Sequence, residues 1–325
     1  MAQFNSTMVT SNMSSSPGDS PHPSLDSRGL VPAVVMSICF LMGFPGNIAV
    51  IILKPNWENM SSLSQSLMLS LAVSDLLCLV TLPLWIYSFL YGWTFRLVGC
   101  KIITYFVYCS LYTSLLTLTV LSVQRYLQVV HLQRSLNRVR AKMLLLPLWL
   151  ASMILSTPAL VFRQLSEDQR WTTCSNQYSF EGQRMAVVLS ETLVGFVSLS
   201  VIVFSYINLY RKVSRAVLFN NPQTTRLITS ITVTLVVLWA PYLVINVISM
   251  AAISLKNEGL LKFCDDIRRT VAAIIFVNSA LNPLLYAFTS NRLSSLCHKS
   301  AQLFIQKFRF SPTMSTDLTA GEATQ

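Results

Sequence analysis

Two carboxylates, Asp75 and Glu191, stand inside long apolar runs of this 325-residue chain. Asn47, Ser114, Asn278, Ser279 and Asn282 stand in apolar runs as well. A carboxylate among neutral oxygens is a donor set that suits a hard cation such as Na+. The same groups also serve as hydrogen-bonding glue between packed helices. Two cations, Arg163 and Arg268, lie at the ends of other apolar runs. A guanidinium grips a carboxylate with two parallel bonds, and an apolar tail gains from burial beside it. That chemistry suits an anionic amphiphile; the alternative is a pair of interfacial arginines with their heads in water. A third cation, Arg125, ends a run of its own within "LSVQRYLQVV", flanked by Gln124 and Tyr126. Catalytic metal chemistry finds no support: His22, His131 and His298 are far apart and no CxxC pair occurs. No nucleophile–base pair emerges, which argues against an enzyme.

The elements that must position these groups are membrane helices. The chain is 53% hydrophobic and 11% charged, against about 25% charged in soluble domains. A bilayer crossing needs about 20 apolar residues. Seven stretches qualify: Val31–Leu53, Leu63–Leu90, Val98–Val130, Met143–Phe162, Met185–Tyr210, Leu227–Ile253 and Ile267–Thr289. Several contain proline (Pro45, Pro83, Pro147, Pro158, Pro241, Pro283), which membrane helices tolerate because neighbours re-satisfy the freed carbonyls. The expected fold is an all-α seven-transmembrane bundle over 31–290. No internal repeat is visible, which weakens a transporter built from inverted halves.

Loop charge sets the orientation. With the N-terminus outside, the inner segments carry 13 Lys and Arg against three acids, and the outer ones 10 against eight. The positive-inside rule favours that arrangement. The net charge of +11 is therefore topological and implies no nucleic-acid partner. The polar segment 1–30 holds two sequons, at Asn5 and Asn12, so it reads as a glycosylated outer tail. Beyond the last span, 291–310 alternates apolar and basic residues, as an amphipathic helix on the inner leaflet does. Cys297 within it is either a palmitoylation site or an inert thiol. Segment 311–325 is short and polar and reads as a disordered cytoplasmic tail.

"GNIAV" with Asn47, "SLAVSDLL" with Asp75, "QRY" with Arg125, Trp149, "LWAPY" with Trp239 and Pro241, and "NSALNPLLYAF" with Asn282, Pro283 and Tyr286 occur in order, one on each of the first, second, third, fourth, sixth and seventh spans. Together they resemble the rhodopsin-like G-protein-coupled receptors over about Val31–Phe310. The resemblance implies a disulfide between Cys100 and Cys174, both on the oxidising side. It implies a sodium pocket of Asp75, Ser114, Asn278, Ser279 and Asn282. Trp239 would relay ligand binding, and Asn282, Pro283 and Tyr286 would rearrange on activation. The family's proline in the fifth span is missing from "GFVSLSVIVFSY", so the usual bulge there is not expected.

The outer halves of the spans choose the ligand. On the third span Tyr108, Leu111, Tyr112, Leu115, Leu118, Ser122 and Arg125 recur at spacings of three and four and share one face. The seventh span has no lysine, which excludes a retinal Schiff base, and no acid lies between Lys101 and Gln124, which disfavours an amine ligand. "TPALVFRQ", "YSFEGQRMAVVLSETLVGF" and "RRTVAAIIFVNSALNPLLYA" resemble the leukotriene B4 receptors of the chemoattractant branch. Carried over, Arg163, Glu191, Asn246, Arg268 and Tyr112 line a lipid pocket. Tyr108, Tyr105 and Trp239 stand beside it. An anionic or formylated chemoattractant peptide is the alternative ligand.

Tyr108 and Arg125 are 17 residues apart, roughly 25 Å along a helix. Ligand and partner sites must therefore communicate through a two-state bundle. The resemblance implies a heterotrimeric G protein of the inhibitory class, and arrestin, at the inner face of a plasma-membrane receptor. Most relatives carry a carboxylate where this chain has Gln124. No acid occurs from Arg211 to Lys256 either. Arg125 must then rest on neutral partners, with Gln223, Thr224 and Thr225 the candidates. Appreciable basal signalling is expected, lowered by Gln124→Asp.

Overall fold

The computed structural model describes residues 29–54, 61–130, 141–168, 171–213 and 222–289. Asn5, Asn12 and Cys297 lie outside the described residues. The elements are α1 (Leu30–Leu53), α2 (Ser62–Leu79), α3 (Leu82–Tyr91), α4 (Arg96–Val130), α5 (Ala141–Leu155) and α6 (Thr157–Phe162). There follow β1 (Arg163–Asp168), β2 (Trp171–Asn176), α7 (Glu181–Val213), α8 (Pro222–Ser254) and α9 (Glu258–Thr289).

Seven spans result, because α2 with α3 and α5 with α6 each make one. Both interruptions sit before a proline. Pro83 and Pro158 occupy the first turns of α3 and α6, where their missing N–H has no intrahelical acceptor to lose. Pro45, Pro147, Pro241 and Pro283 lie inside helices. The fifth span, lacking proline, runs as an unbroken α-helix of 33 residues. Six helical segments among the described residues are apolar and long enough to cross a membrane. The seventh, α9, begins nine residues before the expected Ile267 and carries Glu258, Lys262, Asp265, Asp266, Arg268 and Arg269 in its outer third. The expected start followed apolarity; the helix continues into water, where charge does not stop it.

α4 is the central strut. It packs on α2, α5, α6, α7, α8 and β1, while α9 closes the ring between α1 and α8. The core is continuous from Leu67 and Leu71 on α2 through Leu115, Leu118 and Leu121 on α4 to Ile202 on α7 and Leu235 and Trp239 on α8. The outward faces carry Ile38, Leu41, Ile52, Met143, Leu146, Ile154, Phe196, Phe204 and Val237, all exposed. Such a belt has no solvent-compatible reading, and it is the face a bundle turns to lipid.

Two glycines set the spacing of α1 and α9. A Cβ on Gly43 would stand 2.8 Å from Ala280 Cα, and one on Gly46 2.7 Å from Pro283 Cβ. Close backbone approach through small residues replaces hydrophobic drive as the reason membrane helices associate.

The sequence reading had no strands. The β1–β2 hairpin is antiparallel, pairing Arg163 with Asn176 and Leu165 with Cys174. A Cys100–Cys174 disulfide, with Cα atoms 5.7 Å apart, ties it to the outer end of α4. The Trp93 amide donates to Thr172 O at 2.7 Å, so the hairpin is held from two sides over the bundle mouth.

Candidate functional site

Three polar sites are threaded along the bundle. The outermost is a small cavity beneath the hairpin. α4 contributes Tyr108 and Tyr112, the α5–α6 junction contributes Leu155, Pro158, Ala159 and Phe162, and α7 contributes Val187, Ser190 and Glu191. Asn176 and Tyr178 form its roof, joined by an Asn176 Nδ2 to Tyr178 Oη bond of 3.0 Å. Burial, with the Glu191 carboxylate next in effect, pushes the Tyr178 phenol up to about 12. It remains neutral, able both to donate and to accept, across physiological pH.

The buried acid of this site is Glu191, and its partners come from two other helices. Tyr242 Oη donates to Glu191 Oε2 at 2.7 Å, and Arg268 Nη1 lies 3.8 Å from the same oxygen. Arg268 Nη2 donates to Ser249 Oγ at 3.2 Å. On α8, Trp239, Tyr242, Asn246 and Ser249 recur at spacings of three and four and are all buried, so one stripe of that helix faces the site. Trp239 meets Tyr242 edge-on, with ring centroids 6.1 Å apart. Asn246 is fully buried, and neither its amide nitrogen nor its oxygen has a partner among the described residues. A buried amide left unpaired costs about 1–3 kcal/mol, so a group that satisfied it would gain that much. The Nε atoms of Arg163 and Arg268 are buried and unpartnered as well.

The sequence-predicted residues meet here unequally. Glu191, Arg268, Asn246, Tyr108 and Tyr112 converge. Arg163 opens β1 instead of ending the fourth span as a helical residue; it donates to Cys174 O at 3.0 Å, which commits part of its fork to the hairpin, and its side chain also hydrogen-bonds Tyr108, so it reaches the site from the roof. Tyr105 points elsewhere, its hydroxyl donating to Met153 O on α5 at 3.3 Å, and it is not among the cavity-lining residues. Tyr242, Ser249 and Tyr178 were missed. The first two were legible as the same stripe as Trp239 and Asn246; the third depends on a hairpin that apolar periodicity cannot reveal.

The middle site surrounds Asp75, which is fully buried. Ser114 Oγ donates to its Oδ1 at 3.0 Å and Asn282 Nδ2 to its Oδ2 at 2.6 Å. Ser74 and Ser114 hydroxyls are 2.9 Å apart. Asn47 Nδ2 bridges Gly43 O and Ser279 O, each at 3.0 Å. The side-chain oxygens of Asn47, Asn278 and Asn282 are buried without a donor among the described residues. One carboxylate and several idle neutral oxygens fit a hard monovalent cation.

The innermost site holds the polar phrase after the third span. Arg125 Nη1 donates to Gln128 Oε1 at 3.2 Å. A neutral partner of Arg125 therefore lies one turn along its own helix. Gln124, only 2% exposed, turns away and donates to Ser61 Oγ at 3.1 Å. Tyr126 is half-buried on the same turn. Tyr286 falls in the last turn of α9 and Gln223, Thr224 and Thr225 in the first turn of α8; their side chains lie outside those described.

Seven spans around a central third helix, a mid-bundle carboxylate and an arginine at its inner end define a membrane receptor architecture. The chain matches the 7 transmembrane receptor (rhodopsin family) over residues 46–286, and it belongs to that family. Membership implies a ligand and a G-protein partner. Among its relatives, human leukotriene B4 receptor 1 is 30% identical over 283 residues, 82% of this chain and 79% of that one. Rabbit (Oryctolagus cuniculus) C-X-C chemokine receptor type 2 is 28% identical over 281 residues, covering 83% and 78%. Human C-C chemokine receptor type 8 is 27% identical over 292 residues, covering 85% and 81%.

Proposed function

We propose that this receptor responds to an anionic lipid mediator bearing a carboxylate and hydroxyls, of which leukotriene B4 is the leading candidate. The observation that carries the reading is the convergence of Arg268, Glu191 and Tyr242 beside the unpaired amide of Asn246. Arg268 is matched to a carboxylate, Glu191 accepts from a hydroxyl, and Asn246 both donates and accepts. Tyr108, Tyr112, Leu155 and Phe162 offer an apolar lining to a hydrocarbon tail. The 30% identity to a leukotriene B4 receptor supports the same reading. A second reading, an anionic or formylated chemoattractant peptide, draws support from the chemokine-receptor relatives.

The receptor acts at the plasma membrane with its N-terminus outside. It signals through a heterotrimeric G protein of the inhibitory class, with arrestin as a further partner. Na+ acts at Asp75 as an allosteric ion. An eicosanoid panel set against chemoattractant peptides, read by cAMP decrease and GTP exchange in membranes expressing the chain, tests the reading. A nanomolar to micromolar response to leukotriene B4 that peptides do not reproduce supports the lipid. A response confined to peptides overturns it.

A further inference from the structure

Ser61 is the N-cap of α2. Its hydroxyl accepts from the Ser64 amide at 3.3 Å and lies 3.0 Å from Ser64 Oγ. It also accepts from Gln124 Nε2 at 3.1 Å and Gln128 Nε2 at 3.5 Å, both on α4. Three N–H donors meet a hydroxyl with two lone pairs, so its accepting capacity is fully used. Its own proton is then free for Ser64 Oγ. Gln128 hands the chain on, accepting from Arg125 Nη1 at 3.2 Å. The result is a continuous relay from Arg125 through Gln128 to Ser61, with Gln124 as a second strut. Among the described contacts of Arg125 there is no carboxylate, and Arg125 Nε and Gln124 Oε1 are unpartnered.

We propose that Ser61 and Gln128 are positioning residues of the receptor switch: together they latch Arg125 in the resting state by a neutral relay that anchors α4 to the start of α2. Hydrogen bonds in such a chain polarise one another, so a charged guanidinium at one end strengthens the neutral bonds behind it. The anchor point is unfavourable for a bare cation, because a helix N-terminus carries positive partial charge. The relay keeps the guanidinium one side chain away from that end and still fixes its direction. The latch is weaker than a charge pair, since the Gln128 amide oxygen brings a dipole and no net negative charge to the guanidinium. It is also reversible without moving a proton. Among the described residues, a partner that competes for Arg125 has the bond to Gln128 to break.

The inference rests on family membership and not on the choice of ligand, because its readout is ligand-free. GTP exchange is measured in membranes expressing the full chain at matched surface density without agonist. Ser61→Ala and Gln128→Leu each raise basal exchange about fivefold, the effect of losing one net hydrogen bond. Ser61→Thr, which keeps the hydroxyl, stays at the wild-type level. Gln128→Glu puts a carboxylate on the Arg125 fork, accepts a hydrogen bond from the Ser61 hydroxyl, and lowers basal exchange. A purely structural role for the cap would lower thermal stability in Ser61→Ala and leave Gln128→Leu and Gln128→Glu at the wild-type level. That pattern overturns the latch, as does wild-type exchange in both Ser61→Ala and Gln128→Leu. If Ser61→Ala does not reach the surface, the two Gln128 variants decide alone.

Discussion

Arg268 on α9 lies 3.8 Å from the Glu191 carboxylate on α7, so the cation best placed to bind an anionic ligand already faces an internal anion. Glu191 is held by Tyr242 as well. An entering carboxylate therefore competes for Arg268 with a group that does not leave. The exchange is favourable only if Glu191 keeps a donor, which Tyr242 and a ligand hydroxyl supply. Recognition of a carboxylate and a hydroxyl would in this way be coupled in one site.

The first expectation follows from that coupling. With leukotriene B4 as the proposed ligand, Arg268→Ala lowers its potency tens- to hundredfold, the range of a lost charge-assisted pair of about 1.5–3 kcal/mol. It also leaves Glu191 buried without its cation, which is destabilising. Surface expression falls in Arg268→Ala and recovers in the Arg268→Ala/Glu191→Gln double variant, while potency stays low. Intact potency in surface-expressed Arg268→Ala would remove the carboxylate anchor.

The middle site yields a salt-specific expectation. With N-methylglucamine replacing Na+ at constant ionic strength, agonist affinity rises severalfold in the wild type. Asp75→Asn flattens the response, because the only carboxylate among those oxygens is gone. A flat wild-type titration counts against a sodium role.

Much of this was legible beforehand, for one physical reason. Membrane helices must bury every ionisable group with a purpose, so Asp75, Glu191, Arg125 and Arg268 announced themselves against an apolar background. What escaped were partners reached by tertiary contact. Ser61 caps α2 and meets α4 across 63 residues of sequence, and no local pattern marks it. Gln128 escaped as well: it lies three residues from Arg125 on the same helix, whereas neutral partners were expected across the bundle, among Gln223, Thr224 and Thr225. The hairpin was hidden because Arg163–Asp168 and Trp171–Asn176 hold mixed polar residues with no sustained alternation.

Helix spacing gives a packing test. Gly46→Leu inserts four carbons where even a Cβ would stand 2.7 Å from Pro283. Overpacking of this kind costs about 1–3 kcal/mol, so the melting temperature of purified receptor drops by several degrees. Gly182→Ala, whose Cβ meets only the Phe180 ring, leaves it within a degree or two.

The outer rim separates electrostatics from folding. Arg184 on α7 pairs with Asp265 on α9 at 2.5 Å, with side chains 20% and 50% exposed. The same two helices carry Glu191 and Arg268 deeper in, with the signs exchanged. Such an exposed pair contributes about 0–1 kcal/mol to stability, so neither Arg184→Ala nor Asp265→Asn should alter surface expression. Their effect belongs to the rate of encounter, which rim charges steer. An anionic ligand approaching the mouth meets Arg184 before Arg268. Arg184→Ala therefore slows association of the proposed ligand, leukotriene B4, and Asp265→Asn, which frees Arg184 and removes a like charge, speeds it. Both shifts shrink as ionic strength rises from 50 to 300 mM, because the Debye length falls from about 14 Å to about 6 Å. Dissociation rates stay close to wild type in both. Shifts of the same sign in the two variants, or shifts insensitive to salt, would mean that the pair acts through the shape of the mouth and not through its field.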